Sequence, residues 1–220
     1  MHRAIHPLAL TFIVAVQVGA TRLYFRRPSK VQIDAMAASL SNRQYNHDFV
    51  GIGALPEDQE PSHVARRLRV IRHTVNLGRG NRSWDVARAA LLEWRMHDGS
   101  SWSAIHRDRS GSVVTLAALP HPRIPLLWVL NPCREVDYSL NAGDHCCVGY
   151  ATLKGHLIAG EESMSVYRKA SGEVCFEVLS RSRGANLFGR LIFLGLAKTQ
   201  DRFFREQCRC MQALVIGDDR

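Results

Sequence analysis

The feature that most constrains the fold of this 220-residue chain is a change of hydrophobic period after Gly99. Between residues 101 and 180 apolar and polar residues alternate, which is the period of half-buried strands. From residue 186 to 214 the period becomes that of an amphipathic helix. A run of strands followed by one long helix predicts a single sheet that packs against that helix.

The two-residue period defines seven predicted strands, at 101–107, 112–119, 125–131, 134–140, 145–154, 163–169 and 173–180. The alternation is clearest in two of them, through Val136, Tyr138 and Leu140 and through Val174, Phe176 and Val178. The last two predicted strands are joined by Lys169 to Gly172, which predicts a hairpin turn.

The chain before Gly99 predicts a helix at 31–40, a wrapping loop at 41–62, a strand at 70–77 and a helix at 84–97 capped by Ser83. This order predicts an α+β fold in which a curved antiparallel β-sheet grips a long C-terminal helix, with one short helix after the first strand. A sheet curved in this way often leaves a hollow beside the helix, and such hollows bind apolar ligands.

The composition is that of a globular protein, with 46% hydrophobic and 22% charged residues. No apolar run approaches the length of about 18 residues that a spanning helix needs. We expect three parts: an apolar N-terminal extension at 1–22, a helix and wrapping loop at 23–62, and a single α+β domain at 63–216.

The N-terminal extension has the outline of a signal peptide, because the apolar run from Leu8 to Val16 follows Arg3. Arg22, Arg26 and further basic residues follow the run, and this charge order disfavours translocation. Three interpretations stay open: an atypical signal, a membrane-surface anchor, or an extension that packs or frays. We expect a cytoplasmic domain, with export or peripheral membrane contact through the N-terminus as the alternative.

The formal charge of +9 arises from 29 basic residues, of which 25 are arginine. These arginines are scattered along the chain, and no zinc-finger, helix-turn-helix or RNP pattern accompanies them. We therefore expect a solvated basic surface and no nucleic-acid partner. The sequence does not indicate an oligomeric state.

Six cysteines are present, and none of them forms a C-x-x-C pair or lies near a histidine at zinc-ligand spacing. Cys146 and Cys147 are neighbours on a predicted strand and should point to opposite faces. We expect buried reduced thiols, no metal and no cofactor.

His156, Glu161 and Glu162 are the strongest candidates for chemistry, because a histidine beside a carboxylate can act as a general base. Adjacent buried carboxylates could also have raised pKa values, since like charges resist ionising together. In the structural alternative, Gly160, Glu161 and Glu162 form a tight turn and the carboxylates pair with Arg181 or Arg183.

Five further residues are candidates for a ligand-binding hollow. Trp128, Tyr138 and Phe176 could line it with aromatic rings, although burial in the core is the commoner role of such residues. Ser180 and Arg181 fall between the last predicted strand and the long helix, at the expected cavity mouth. Arg181 could bind a carboxylate or phosphate there, or pair with Glu161 or Glu162.

Four segments carry a family resemblance: LYFRRPS at 23–29, YNHDFVGIG at 45–53, YATLKGHLIAGEESMSV at 150–166 and LSRSRG at 179–184. Together they resemble the bacterial and plant family called domain of unknown function nineteen-ninety. The chain keeps the family signature at Thr152, Leu153, Gly155, His156, Gly160, Glu161 and Glu162. It departs from the family with Ala151 in place of glycine and with Ser182 where proline is common.

The family's element order is similar to that of the helix-grip superfamily (START-like and Bet v 1-like domains), which implies binding of a hydrophobic or amphipathic small molecule between sheet and helix. The first hypothesis is therefore a carrier or sensor without catalytic activity. The second is a small hydrolase, cyclase or isomerase that uses His156 with Glu162 or Glu161 as an acid/base pair. The third is a membrane-surface interaction protein.

Overall fold

A computed structural model of the chain describes residues 16–18, 20–54, 67–119, 127–138 and 141–217. Ten antiparallel strands lie within these ranges: β1 (Val16–Val18), β2 (Thr21–Tyr24), β3 (Arg69–Arg79), β4 (Ser103–Arg107), β5 (Ser112–Leu119), β6 (Leu127–Glu135), β7 (Asn141–Ala142), β8 (His145–Thr152), β9 (Ile158–Arg168) and β10 (Glu173–Gly184). The helices are α1 (Lys30–Ala38), α2 (Gly80–Leu92) and α3 (Leu187–Gly217), with 3-10 turns at Ile52–Ala54 and Arg95–His97.

The strands form one sheet in the order β1-β2-β6-β8-β9-β10-β3, with β5 also on β6 and β4 on β5. Helix α3 packs on β3 and β10, and α2 packs beside it, against α3 and the strands β3, β8, β9 and β10. The predicted α+β architecture, an antiparallel sheet around a long C-terminal helix, is therefore confirmed. The structure adds two strands before α1 that the sequence pattern did not predict, and the expected boundary at residues 22 and 23 falls inside β2.

The two faces of the sheet carry different cores. Even-numbered residues of β8, β9 and β10 face α2 and α3, and their apolar members include Val148, Met164 and Phe176. We call this side the helix face. On the other side, the outer face, α1 packs through Met36 against Trp128 and the neighbouring part of β5 and β6.

The predicted strands 125–131 and 134–140 are wrong as two elements, because β6 runs continuously from residue 127 to 135. Pro132 marks the place where β6 changes partner: β2 pairs with it before this residue, and β8 pairs with it from Cys133 onward. The missing N–H of the proline therefore interrupts neither ladder. Val136 and Tyr138 lie beyond the strand, and Leu140 falls outside the described residues.

The helix predicted at 84–97 begins and ends earlier, as α2. Arg79 occupies the N-cap position, and Ser83 is not the cap: it lies in the first turn, where its hydroxyl donates to the Arg79 carbonyl. Trp94 adopts a left-handed conformation with φ of 61° and separates the helix from the following 3-10 turn. Trp94 is nevertheless buried.

Strands β9 and β10 are longer than predicted, which changes the setting of the candidate site. Gly160 does not form a turn; it lies within β9, where an added Cβ would approach the Cβ of Ser182 to 2.5 Å. The glycine thus permits close packing of β9 on β10. The turn occurs instead at Gly155, whose φ of +94° favours glycine.

Other predictions are confirmed. The hairpin at Lys169–Gly172 closes with Lys169 N–H donating to the Glu173 carbonyl, and α1 and α3 lie where helices were expected. The six cysteines are free thiols; five are buried and Cys210 is half-buried. Expectations for residues 1–15, for 55–62 of the wrapping loop, and for the side chains of residues 188–197 in α3 fall outside what the structure describes. No helix in the described ranges is long and apolar enough to span a membrane.

Candidate functional site

A cavity of about 270 Å³ lies on the helix face, between the sheet and α3. Strands β2, β5, β6, β8, β9 and β10 contribute to its walls, and α3 closes it with Thr199, Gln200 and Phe203. Its apolar lining includes Leu23, Trp102, Ala117, Leu127, Val129, Leu157 and Ile158. The polar lining includes two hydrogen-bonded groups, one around Glu162 and one around His156.

One polar place surrounds Glu162 of β9, which is buried in the wall. The hydroxyl of Tyr150 donates to Glu162 Oε2 at 2.7 Å, and Gln207 Nε2 donates to Oε1 at 2.9 Å. Tyr150 is the cross-strand neighbour of Glu162 on β8, and Gln207 comes from α3. We call this group the Glu162 end of the cavity.

Burial raises the pKa of Glu162 to about 7, because the ionised carboxylate loses its hydration, and the hydrogen bonds from Gln207 and Tyr150 oppose this rise. Burial also raises the pKa of Tyr150 well above its ordinary value, so that the phenol remains a donor. Near neutral pH, Glu162 is therefore present in both protonation states. A group of this kind can accept a proton from a bound molecule or donate one to it.

The second polar place contains His156, in the turn between β8 and β9, with Thr21 and Asn131. Nδ1 of His156 accepts a hydrogen bond from the backbone N–H of Ile158 at 2.9 Å. Burial lowers the pKa of His156 to about 3, so the ring is neutral at physiological pH. Its proton must then be on Nε2. We call this group the His156 end.

His156 and Glu162 line the same cavity but do not form the predicted acid/base pair. The His156 ring is hydrogen-bonded to Ile158, and Glu162 lies four residues further along β9. This separation corresponds to about 13 Å between the Cα atoms of Ile158 and Glu162. Among the described residues, the hydrogen bond of the His156 ring is with Ile158, and those of Glu162 are with Tyr150 and Gln207.

Glu161 points away from Glu162, to the outer face, because adjacent residues of a strand alternate. Its carboxylate accepts hydrogen bonds from the backbone N–H of Gly51 at 2.7 Å, from that of Gly53 at 2.5 Å and from the Tyr138 hydroxyl at 2.8 Å. Burial raises the pKa of Glu161 overall. The three hydrogen bonds and the charge of Arg181, which lies opposite on β10, oppose this rise. Burial, not repulsion between the two glutamates, therefore raises both pKa values.

Of the five predicted ligand-contacting residues, the structure places Ser180 in the cavity wall. Trp128 belongs to the core under α1, and Phe176 is fully buried in the core of the helix face. Tyr138 and Arg181 lie on the outer face with Glu161. Arg181 had been expected at the cavity mouth because β10 was predicted to end at residue 180, whereas it continues to Gly184.

Tyr150, Gln207 and Asn131 are functional candidates that the sequence did not single out. Tyr150 had a detectable signal, since it begins the family segment at 150–166 and shares the strand period of the helix face. Gln207 and Asn131 come from elements distant in sequence, and their roles depend on how α3 and β6 pack. Among the described residues, no three His, Cys, Asp or Glu side chains cluster as metal ligands would.

Comparison with known proteins gives relatives of similar length. A UPF0548 protein of Arabidopsis thaliana is 28% identical over 182 residues, which are 79% of this chain and 86% of the relative. A UPF0548 protein of Deinococcus radiodurans is 28% identical over 194 residues, 84% of this chain and 95% of the relative.

Among solved structures, the crystal structure of the Zhui aromatase/cyclase from a Streptomyces species is similar with a TM-score of 0.49 and 10% identity, over 70% of this chain and 97% of that one. Identity at this level carries no information about ligand or reaction. The family comparison is more specific, because the matched residues 53–210 contain the signature at 152–162, including His156 and Glu162. The chain belongs to the family described as "Domain of unknown function (DUF1990)".

Proposed function

We propose that the protein binds one small, largely apolar molecule in the cavity between the sheet and α3. The observation that carries this proposal is the cavity itself, about 270 Å³ with mainly apolar walls and two polar ends. Small-molecule sites combine these features, since apolar walls supply affinity and a few polar groups set orientation. The volume fits a molecule of one or two fused rings.

The shape of the lining supports a carrier or sensor as the first role. Trp102, before β4, and Phe203, on α3, supply adjacent aromatic surface, with their ring centroids 6.1 Å apart in an edge-to-face arrangement. Ala117 leaves room on β5 where a larger side chain would fill the space. These residues bury apolar surface of a ligand at roughly 25 cal/mol per Å², which is enough for specific binding without covalent chemistry.

Native mass spectrometry of gently purified protein tests this proposal. We expect an added mass that is extractable as one class of small molecule. The variant Ala117→Leu, which fills the cavity, should lose that mass, whereas Ala38→Leu, the same change on the exposed end of α1, should retain it. A wild-type protein that carries no added mass and binds none of a set of neutral aromatic probes would contradict the proposal.

Acid–base catalysis is the second candidate, favoured by the pKa of about 7 for Glu162 in the cavity wall. In this role the carboxylate removes a proton from a carbon beside a carbonyl group of the ligand and returns a proton to it, as an isomerase or cyclase requires. Exchange of deuterium from heavy water into a bound ketone measures this step. We expect exchange with wild-type protein and with Glu177→Gln, a surface control, and none with Glu162→Gln.

A further inference from the structure

We infer that the His156 end of the cavity binds a neutral acceptor oxygen, of the ketone or lactone type, and that the cavity discriminates against carboxylates and other anions. This inference rests on the proposed binding function and names the class of ligand. It depends on the donors at this end of the cavity and on the charges of the residues that line it.

The first donor is His156. Because Nδ1 accepts the N–H of Ile158 at 2.9 Å, the proton of the neutral ring is on Nε2. The ring lines the cavity, and Nε2 has no hydrogen-bond partner among the described residues, so its N–H is available to a ligand. The backbone contact also fixes the ring orientation, which prepares the donor before a ligand arrives.

The second donor is the amide of Asn131. The Thr21 hydroxyl lies 3.1 Å from Asn131 Oδ1 and 3.2 Å from the carbonyl of Gly155, the residue before His156. These contacts bring the asparagine head beside the turn that carries the histidine. The single hydroxyl hydrogen of Thr21 is shared between these two acceptor oxygens, which assigns Oδ1 to Thr21 and leaves the Nδ2 hydrogens of Asn131 as a second donor beside His156.

The charges of the lining decide between neutral and anionic oxygen. None of the described residues that line the cavity is lysine or arginine, although the chain carries a net charge of +9. The lining includes the carboxyl group of Glu162, whose ionised form repels an anion. A carboxylate ligand would lose its hydration without gaining a cation, which costs several kcal/mol, whereas a carbonyl oxygen needs only the two N–H donors.

Three naphthalenes that differ in one substituent test the inference by isothermal titration calorimetry of the full-length protein. We expect the acetyl compound to bind about 5- to 10-fold more tightly than the ethyl compound, the usual effect of one or two net hydrogen bonds. The carboxylate compound should bind at least about 10-fold more weakly than the acetyl compound at neutral pH.

In His156→Phe, which retains an aromatic ring without the donor, the acetyl compound should lose its advantage over the ethyl compound. The matched control is His97→Phe, since His97 is a second buried neutral histidine that does not line this cavity. If His156→Phe does not fold, Asn131→Leu replaces it, with the same expected loss of preference.

The outcomes separate the inference from the function on which it rests. If none of the three compounds binds to the wild-type protein, the proposed binding function is wrong and the inference falls with it. If they bind with equal affinity, if the carboxylate binds best, or if the preference for the ketone persists in both His156→Phe and Asn131→Leu, the inference alone is wrong.

Discussion

At the scale of single residues, Glu162 opposes folding whenever it is ionised, because its carboxylate is buried in the cavity wall. Its pKa of about 7 in the fold exceeds the ordinary value of 4.5. The folded state therefore binds the proton more tightly than the unfolded state does. The stabilising effect of this proton is fully present below pH 4.5 and is lost as the pH rises through 7.

The variant Glu162→Gln removes this titration. We expect the free energy of unfolding of the wild-type protein to fall, relative to that of the variant, by about 3 kcal/mol as the pH rises from below 4.5 to above 7. Urea unfolding at a series of pH values measures the difference. His97 and His156, whose pKa values burial lowers, give the opposite pH dependence, but they are present in both proteins and cancel. Parallel stability curves would contradict the raised pKa.

Some residues of the cavity wall could be selected from the sequence, whereas most of the other lining residues and all of the pairings could not. The signature drew attention to His156 and Glu162, and both line the cavity. The structural alternative to their partnership placed a tight turn at Gly160, and the sequence offers the same glycine for a turn or for close strand packing. The contact with Ser182 decides for packing, and the continuous strand then places Glu161 and Glu162 on opposite faces.

At the scale of elements, hydrogen bonds to Glu161 hold the segment around the 3-10 turn Ile52–Ala54 against the outer face of β9. Three donors converge on its carboxylate, two of them backbone N–H groups of Gly51 and Gly53. The side chain of Ser163 adds a hydrogen bond to the Gly53 carbonyl at 3.1 Å. These polar contacts should contribute to the stability of the segment.

The variant Glu161→Gln replaces one carboxylate oxygen with an NH2 group, which cannot accept a hydrogen bond. We expect a loss of about 1–3 kcal/mol in the free energy of unfolding and faster hydrogen exchange at the Gly51 and Gly53 amides. Glu177→Gln on β10 is the matched control, because that carboxylate is more exposed and contacts Arg72 at the surface. Equal effects of the two variants on stability and exchange would show that Glu161 does not hold the segment.

The order of strands and helices along the chain could be predicted from the hydrophobic period, whereas the pairing of the strands could not. The period identifies a half-buried strand without naming its neighbour, and β6 has β2 beside it over Trp128–Leu130 and β8 over Cys133–Glu135. Its interruption by Pro132 resembles the end of a strand in the sequence. In the sheet the proline lies between two partners, where its missing N–H has no consequence.

At the scale of the whole molecule, the sheet is covered on both sides, by α2 and α3 on the helix face and by α1 with the segment up to Ala54 on the outer face. The positive charge of the chain is separated from the cavity, since no described lining residue is lysine or arginine. This separation is compatible with the neutral apolar ligand that we propose.

The reactivity of the cysteines measures whether the helices and the N-terminal segment stay packed on both faces of the sheet in solution. Cys146 faces the core of the helix face, whereas Cys147, whose pKa burial raises to about 12, faces the outer side. We expect a maleimide to label at most Cys210 in the native protein and all six cysteines after unfolding in urea, since buried thiols with raised pKa values react slowly. Mass spectrometry counts the labels, and Cys210→Ser should reduce native labelling to near zero. Rapid native labelling of Cys147 without Cys146 would mean that the outer face opens while the helix face stays closed. The reverse pattern would mean that α2, whose Arg88 interacts with Cys146, leaves the sheet.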